Sequence, residues 1–476
     1  MNSVTEIQQH SKKSFVSPKF GLWHQKLLLA LVDLCILTCS LFYYHKNTTD
    51  TPSFIDFFEL HALSLLFGIG VFGVLTIIFN FYDLEYVNKT RKVLPLSFFI
   101  GIIFTLTYFI TTSFSYNIII DNKNLIFFII SYTLVLIFWR VFYASIIHSN
   151  VFAKNCILLT SEKTEPVFTD RIIESLEGIE FEYGLKVLRT YAVSEEQKQI
   201  DRLSRAIERM TDKKLIDTVI LMDKDQGTIS NSLNSTLIKA IGNGIQVETY
   251  FKLYENVKEA IPIQFGGNQL YTILPISKYN HNYIYLLWHK LIDIVSSVLG
   301  LATMLILSPI IVITNLFLNK GPLFYRQFRV GKGGKEIEII KFRSMIVKAE
   351  EHGAKMSVKG DRRITSFGKI LRKLRIDELP QFWSVLKGEM SLIGPRPERK
   401  IFIDQLVKNI PLYDSRHLIK PGITGWAQVK YEYGENIEDS MKKLEYDLYY
   451  IKNRSVTLDI RIIFKTINTI LFYKGL

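Results

Sequence analysis

Hydrophobic positions in this chain are gathered into long runs, and the runs come first. Leu27–Tyr44, Leu60–Phe81, Leu94–Phe114 and Leu125–Ile147 succeed one another with only short polar breaks. Each holds about 18 to 23 residues, enough to cross a hydrocarbon core of roughly 30 Å as a helix. The pattern predicts a four-helix transmembrane region over residues 27–150, preceded by a polar N-terminal tail, 1–26. The tail carries Lys12, Lys13, Lys19 and Lys26, and the loop at 82–93 carries Lys89, Arg91 and Lys92. The loops at 45–59 and 115–124 hold only Lys46 and Lys123 among several acids. Basic loops stay on the cytoplasmic side, so the tail, the loop at 82–93 and everything after residue 148 are expected there. Asp33 is expected to be the one charge deep inside these runs, facing a neighbouring helix or the interface.

From 151 to 277 the pattern shortens. Cys156–Thr160, Thr218–Met222 and Ile245–Tyr250 read as buried strands, and Glu195–Met210 and Thr228–Ile241 have helical spacing. Strands alternating with helices predict a Rossmann-like α/β domain. Its first strand runs into Thr160-Ser161-Glu162-Lys163-Thr164-Glu165 without a glycine, so it lacks the turn a dinucleotide pyrophosphate requires. A structural or regulatory spacer is the expected role.

A fifth apolar run, Ile294–Asn319, has no charged side chain. A straight crossing would export the rest of the chain, yet Lys320–Arg375 holds 16 Lys or Arg against five Asp or Glu. Ser308-Pro309 lies near the middle of the run, where proline removes a helical hydrogen bond. Together these predict a bent, re-entrant membrane helix over 284–319 that returns to the face it entered from, with Ser308 and Pro309 as the break. The rival is a true fifth span. The closing stretch, Val456–Tyr473, is helical in spacing and expected either at the membrane interface or packed on the last domain, 278–476.

Composition then narrows the partners. The chain has 476 residues, 48% hydrophobic, with a net charge of +13. With membrane runs present, that charge points to lipid head groups or a phosphorylated substrate and away from nucleic acid. Cys35, Cys39 and Cys156 form neither a disulfide framework nor a zinc pattern.

The chemistry is concentrated in residues 377–398. Asp377-Glu378 comes after a basic stretch that includes Lys341, Arg343 and Arg372, and Gly394-Pro395-Arg396-Pro397 comes after the acids. Acids set among cations suit phosphate transfer. By itself Asp377 reads as the N-cap of a helix over Glu378–Leu386 with Pro380 in its first turn.

Lys341-Phe342-Arg343-Ser344-Met345, the block Leu371–Glu398, the run Lys420–Val429 and Tyr446–Asn453 together resemble the bacterial sugar transferase family, the monotopic polyprenyl-phosphate phosphoglycosyl transferases. The resemblance covers about residues 285–476, and the four preceding runs look like those of large-form members. It implies transfer of a sugar-1-phosphate from a UDP-sugar, with UDP-glucose expected and UDP-galactose or an N-acetylated sugar as alternatives, to undecaprenyl phosphate. It further implies Asp377 as nucleophile, Glu378 as its partner, and Mg²⁺ held by Asp377 and Glu378. Arg396, Arg372, Lys341 and Arg343 would contact phosphate or nucleotide, while Lys290 and Asp293 would anchor the re-entrant helix. The expected setting is the bacterial inner membrane among its lipids, with a homodimer through the middle domain. A silent assembly scaffold would lack the acidic pair or the Gly-Pro-Arg-Pro turn, and both are present. A transporter would need several ionisable residues deep in the helices.

Overall fold

The first four apolar runs are helices, each longer than the run that predicted it: α1 Leu22–Thr49, α2 Phe54–Ile78, α3 Thr90–Tyr116 and α4 Asn122–Ile147. The structure is a computed structural model that describes residues 22–49, 54–78, 81–82, 90–116, 122–147, 154–161, 185–193, 196–222, 228–263, 282–347, 349–351, 353, 361–431 and 436–471. The tail at 1–21, most of the basic loop at 82–93 and the glycine-free turn at 162–165 lie outside these residues. Contacts divide the chain into two compact units, Met1–Leu253 and Tyr254–Leu476.

In the first unit the helices bury an aromatic core. Phe72 meets Phe104 edge-on at 5.8 Å, and Phe128 stacks on Tyr132 at 5.7 Å. Their outer faces stay apolar, with Phe138 73% exposed, as a bundle in lipid requires. Among the described residues, three helices are long and apolar enough to cross a membrane, at Lys26–Tyr44, Ile126–Ser145 and Tyr283–Leu318. Leu65–Thr76 and Leu94–Phe109 are shorter apolar stretches. The chain is thus a membrane-associated protein.

Asp33 is not alone, which corrects the sequence-based expectation. Arg140 of α4 is fully buried beside it, donates a hydrogen bond to its carboxylate, and lies 3.9 Å from the Phe81 ring centroid. An unpaired charge inside lipid is costly, and each of these two residues relieves the other. Arg140 is inconspicuous in the sequence because a single arginine barely lowers the hydropathy of so long a run.

The rest of the unit is a four-stranded, all-parallel sheet. Its strands are β1 Lys154–Ser161, β2 Leu185–Val193, β3 Thr218–Met222 and β4 Gln246–Thr249, in the order β2-β1-β3-β4. Helices α5 Gln197–Asp212 and α6 Thr228–Gly242 cover it, burying Ile207, Leu233 and Leu237 against Ile157 and Val219. The predicted strands and helices are present within a few residues. β2 is absent from the sequence-based expectation because it is half-exposed and lacks an alternating or continuous apolar pattern. Helix α7, Tyr250–Lys258, comes next.

The second unit is organised on one helix, α8, Tyr283–Leu318, 36 residues long. Asn282 caps it, its side chain accepting from the Ile284 and Tyr285 amides. Its buried residues Tyr285, Ser297, Gly300, Ile311 and Asn315 fall at intervals of three, four or their sums, a single stripe. The helix is not divided at Ser308-Pro309. It runs on through both residues, because Ser308 Oγ donates at 2.8 Å to the Leu305 carbonyl, the acceptor that the missing Pro309 N–H leaves open. The predicted break is therefore a repaired position in a continuous helix.

Beyond α8 come the antiparallel hairpin β5 Phe324–Val330 and β6 Glu336–Phe342, then α9 Ser366–Lys373, a 3₁₀ turn Ile376–Gln381 and α10 Phe382–Leu386. Strand β7 Ser391–Ile393 pairs in parallel with β8 Gly422–Thr424. Helices α11 Lys400–Asn409, α12 Trp426–Lys430, α13 Ile437–Asn453 and α14 Val456–Leu471 complete the unit. α14 packs on the domain through one face: Asp459 and Ile462 are buried, and Thr466 hydrogen-bonds Thr424 at 2.6 Å. This favours the second of the two placements expected for the closing stretch.

Candidate active site

Four separate stretches of sequence converge on the acidic pair. Arg375 takes a left-handed conformation (φ 56°), which ends α9 and starts the 3₁₀ turn carrying Asp377 and Glu378. Asp377 is therefore not an N-cap, and no single helix covers Glu378–Leu386. Pro380 lies inside the 3₁₀ turn, and α-helix begins only at Phe382. The turn packs on β6 and on α8, so both carboxylates are buried.

The Lys341–Met345 motif divides its labour. Lys341, on β6, donates to Glu378 Oε1 at 3.0 Å. Phe342 enters the core with Ile311, Phe367 and Leu371. Ser344 Oγ accepts from Arg372 Nε at 2.8 Å, holding that guanidinium near Asp377. Arg343 differs from expectation. Its guanidinium donates to the Pro322 carbonyl at 2.7 Å, to Asn319 Oδ1 at 3.0 Å, to the Met345 carbonyl at 3.1 Å and to the Asn319 carbonyl. It locks the end of α8 to the strand and stands outside the group around the acids.

The Gly-Pro-Arg-Pro turn and the Lys420–Val429 run form one structure. The Gly394 N–H donates to the Thr424 carbonyl and the Gly422 N–H to the Pro395 carbonyl, both at 2.9 Å. A Cβ on Gly394 would lie 2.4 Å from the Lys420 carbonyl, so only glycine allows the two loops this approach. The turn aims Arg396 at the acids: Nη2 donates to Glu378 Oε1 at 2.7 Å and Nη1 to Gln428 Oε1 at 3.3 Å. Asp293 of α8 steadies the same loop, accepting from Ser391 Oγ and the Leu392 N–H at 2.8 Å each. Asp293 thus joins the long helix to the turn, while Lys290 is exposed.

The two acids are left in opposite electrostatic states. Burial alone would raise Glu378, but Arg396, Lys341 and Arg375 outweigh it and hold its carboxyl well below the usual range. Burial and the Glu378 charge push Asp377 up, against the pull of Lys341, Arg372 and Arg375. Among the described residues none donates a hydrogen bond to the Asp377 carboxylate. Glu378 is a fixed anion saturated on Oε1, and Asp377 is a basic carboxylate with its oxygens unengaged. Environments that split a pair in this way assign them different roles.

Among the described residues no group of three or more His, Cys, Asp or Glu could hold a metal. Mg²⁺ needs fewer protein ligands, taking one or two carboxylates and completing its shell with phosphate and water. The Asp377 carboxylate and Glu378 Oε2, which among the described residues has only Arg375 at 3.9 Å, are hard oxygen donors of that kind.

Two further arginines beside the site are not singled out by the sequence. Arg329 of β5 approaches the site from the hairpin. Arg416 is buried between Glu398 at 2.9 Å and Asp447 at 2.8 Å, and its Nη2 donates to the Arg396 carbonyl at 3.2 Å. Neither stands in the acidic block, and only the folded chain brings them to it.

Comparison with known proteins places this same unit. The family model described as bacterial sugar transferase matches residues 284–473. A UDP-N-acetylgalactosamine-undecaprenyl-phosphate N-acetylgalactosaminephosphotransferase of Aeromonas hydrophila is 47% identical over 207 residues, 43% of this chain and 47% of that protein. A UDP-glucose:undecaprenyl-phosphate glucose-1-phosphate transferase of Klebsiella pneumoniae is 40% identical over 200 residues, 41% of this chain and 42% of that protein. The matches thus span about half the length of these curated relatives. An uncharacterized sugar transferase of Bacillus subtilis, EpsL, is 41% identical over 160 residues, 33% of this chain but 73% of that protein. With 73% of that relative covered, and the family model spanning the residues that build the acidic site, this chain belongs to the bacterial sugar transferase family.

Proposed function

We propose that the chain transfers a sugar-1-phosphate from a UDP-sugar to undecaprenyl phosphate, releasing UMP and making the lipid-linked sugar that begins a surface polysaccharide. The observation that carries this is the split pair: an unengaged Asp377 carboxylate beside a Glu378 locked by Lys341 and Arg396. A carboxylate can attack a phosphorus only where cations offset the repulsion between anions. Asp377 attacks the β-phosphorus, and the bond to the bridging oxygen breaks with its electron pair leaving on UMP. The resulting phosphosugar–aspartate is then attacked by the lipid phosphate, which frees Asp377. Glu378 holds Lys341 and Arg396 in place, and Arg372, oriented by Ser344, faces the same carboxylate. Mg²⁺, held by Asp377 and Glu378, would neutralise part of the diphosphate charge.

The lipid substrate explains the long helix. About 36 residues at 1.5 Å each reach roughly 54 Å, more than a bilayer core. Yet Tyr285 near the start receives Arg454 Nε at 3.3 Å, and Asn319 just past the end receives Arg343, both from the same domain. That supports a helix dipping into one leaflet and resting its stripe on the domain, with the active site at head-group depth. The four N-terminal helices are read as spans, with the Rossmann-like sheet and the transferase domain on the cytoplasmic face of the inner membrane.

UDP-glucose is the expected donor, and the 47% identity to a protein named for UDP-N-acetylgalactosamine favours that sugar as a second reading. Membranes containing the full chain, supplied with undecaprenyl phosphate and each UDP-sugar with and without Mg²⁺, decide both questions. UMP release from one donor, lost in Asp377→Asn, is the expected result. No UMP from any donor overturns the transferase reading, and full turnover by Asp377→Asn overturns the covalent route.

A further inference from the structure

Arg329 has no place in the proposed reaction, and its surroundings are unusual for a half-buried guanidinium. On β5 it shares one face of the hairpin with Tyr325 and Gln327, the face that also carries Lys341, since Tyr325 pairs directly with Lys341 across the strands. Nε and Nη2 donate to Gln327 Oε1 at 2.9 and 2.6 Å, and Nη1 donates to the Pro397 carbonyl at 3.3 Å. The guanidinium is thereby pinned to the residue next after Arg396. All its acceptors are neutral, and among the described residues it forms no salt bridge.

Like charges surround it instead. Burial, and then repulsion from Arg396 and also Arg399, lowers Arg329 to about 10, with Glu398 opposing. Glu398 itself is bound to Arg416, and Glu350 to Arg399 at 2.9 Å. Glu378 is shared by Lys341 and Arg396. Two other arginines of the unit provide the contrast. Arg416 is buried between two carboxylates. Arg343 lacks a carboxylate but gives four hydrogen bonds, two of them to Asn319 at the end of α8, where a helix is negative. Arg329 has neither form of compensation. A half-buried cation held in position by neutral acceptors and crowded by other cations is compensated when an anion binds.

The geometry points to Arg329 as a ligand, with Arg396, of the phosphate that leaves: the α-phosphate of the donor nucleotide, which becomes the nucleoside monophosphate. This rests on the transferase reading. When Asp377 bonds to the β-phosphorus, the bridging oxygen departs with its electron pair and the α-phosphate gains a negative charge. A guanidinium fork already oriented beside Arg396 meets that charge without reorganising. Gln327 acts as a positioning residue by fixing two of the three nitrogens.

Titration of the full chain in detergent with UMP, and separately with uridine, tests the assignment in wild type, Arg329→Gln and Arg329→Lys. A hydrogen bond to a charged group contributes about 1.5–3 kcal/mol, so UMP should bind roughly 10- to 150-fold more weakly to Arg329→Gln. Arg329→Lys keeps the charge but not the fork, so its loss should be smaller, and it decides the matter if Arg329→Gln does not fold. Uridine affinity should not change in either variant. Wild-type affinity for UMP in the folded variants overturns the inference alone, and so does an equal loss for uridine, which marks a structural role. A wild type that binds no UMP overturns the transferase reading together with it.

Discussion

Gly300 of α8 lies against the ring of Phe382, the first residue of α10 after the turn that carries Asp377 and Glu378. A Cβ built on Gly300 would stand 2.2, 2.5 and 2.6 Å from three atoms of that ring. Carbon contacts need about 3.5 Å, so the ring would have to withdraw by roughly 1 Å or more. Overpacking of this kind costs about 1–3 kcal/mol. Alanine in a helix interior returns about 1 kcal/mol relative to glycine. Gly300→Ala should therefore be destabilising by up to about 2 kcal/mol when Phe382 is present. In a Phe382→Ala background the clash is gone, and the same change should become stabilising by up to about 1 kcal/mol. The sign reversal is read from melting temperatures of the four proteins in detergent, with UMP release measured in parallel. Turnover of Gly300→Ala should fall as well, because the ring adjoins the turn that carries Asp377 and Glu378. If Gly300→Ala raises the melting temperature in both backgrounds, the close packing of α8 on α10 is refuted.

Ser308→Ala should destabilise the chain by about 1–3 kcal/mol, since it leaves the Leu305 carbonyl unpaired in an apolar setting. In a Pro309→Ala background the restored N–H supplies the bond, so the same change should be nearly neutral, and equal effects in both backgrounds would refute the repair. Asp33→Leu should cost about 3–5 kcal/mol by stranding Arg140, while Asp33→Leu/Arg140→Met should be milder, as measured by unfolding of the full chain. At Glu259, burial is outweighed by Lys430 and Arg461, so the folded carboxyl lies below its usual range. Its stabilisation is complete above the unfolded range of about 4.3 and is lost as pH falls through the folded value. The melting-temperature gap to Glu259→Gln should hold from pH 7 to about 5 and narrow below about 4; a constant gap would count against the ion pairs.

The apolar runs and the strands Thr218–Met222 and Cys156–Thr160 were legible in the chain itself, as was the adjacency of an acidic pair to many cations. Hydropathy over a run and strand periodicity are local properties, set by neighbours in sequence. Tertiary structure alone decided which cations serve the acids. Lys341 and Arg343 stand two residues apart on one strand end, yet one reaches Glu378 and the other locks the end of α8. On a continuing strand the two would share a face, but β6 ends at Phe342, so Arg343 leaves the face that Lys341 occupies, and no local signal marks that end. Asp377 likewise read as a helix cap, and only the left-handed Arg375 and the packing on β6 and α8 place it in a buried 3₁₀ turn. Arg140 and Arg329 show the same limit. The role of each depends on groups 107 residues away for Asp33 and 68 residues away for Pro397. Sequence carries short-range pattern, whereas the charge state of a buried group is set by whatever folding brings within a few ångströms of it.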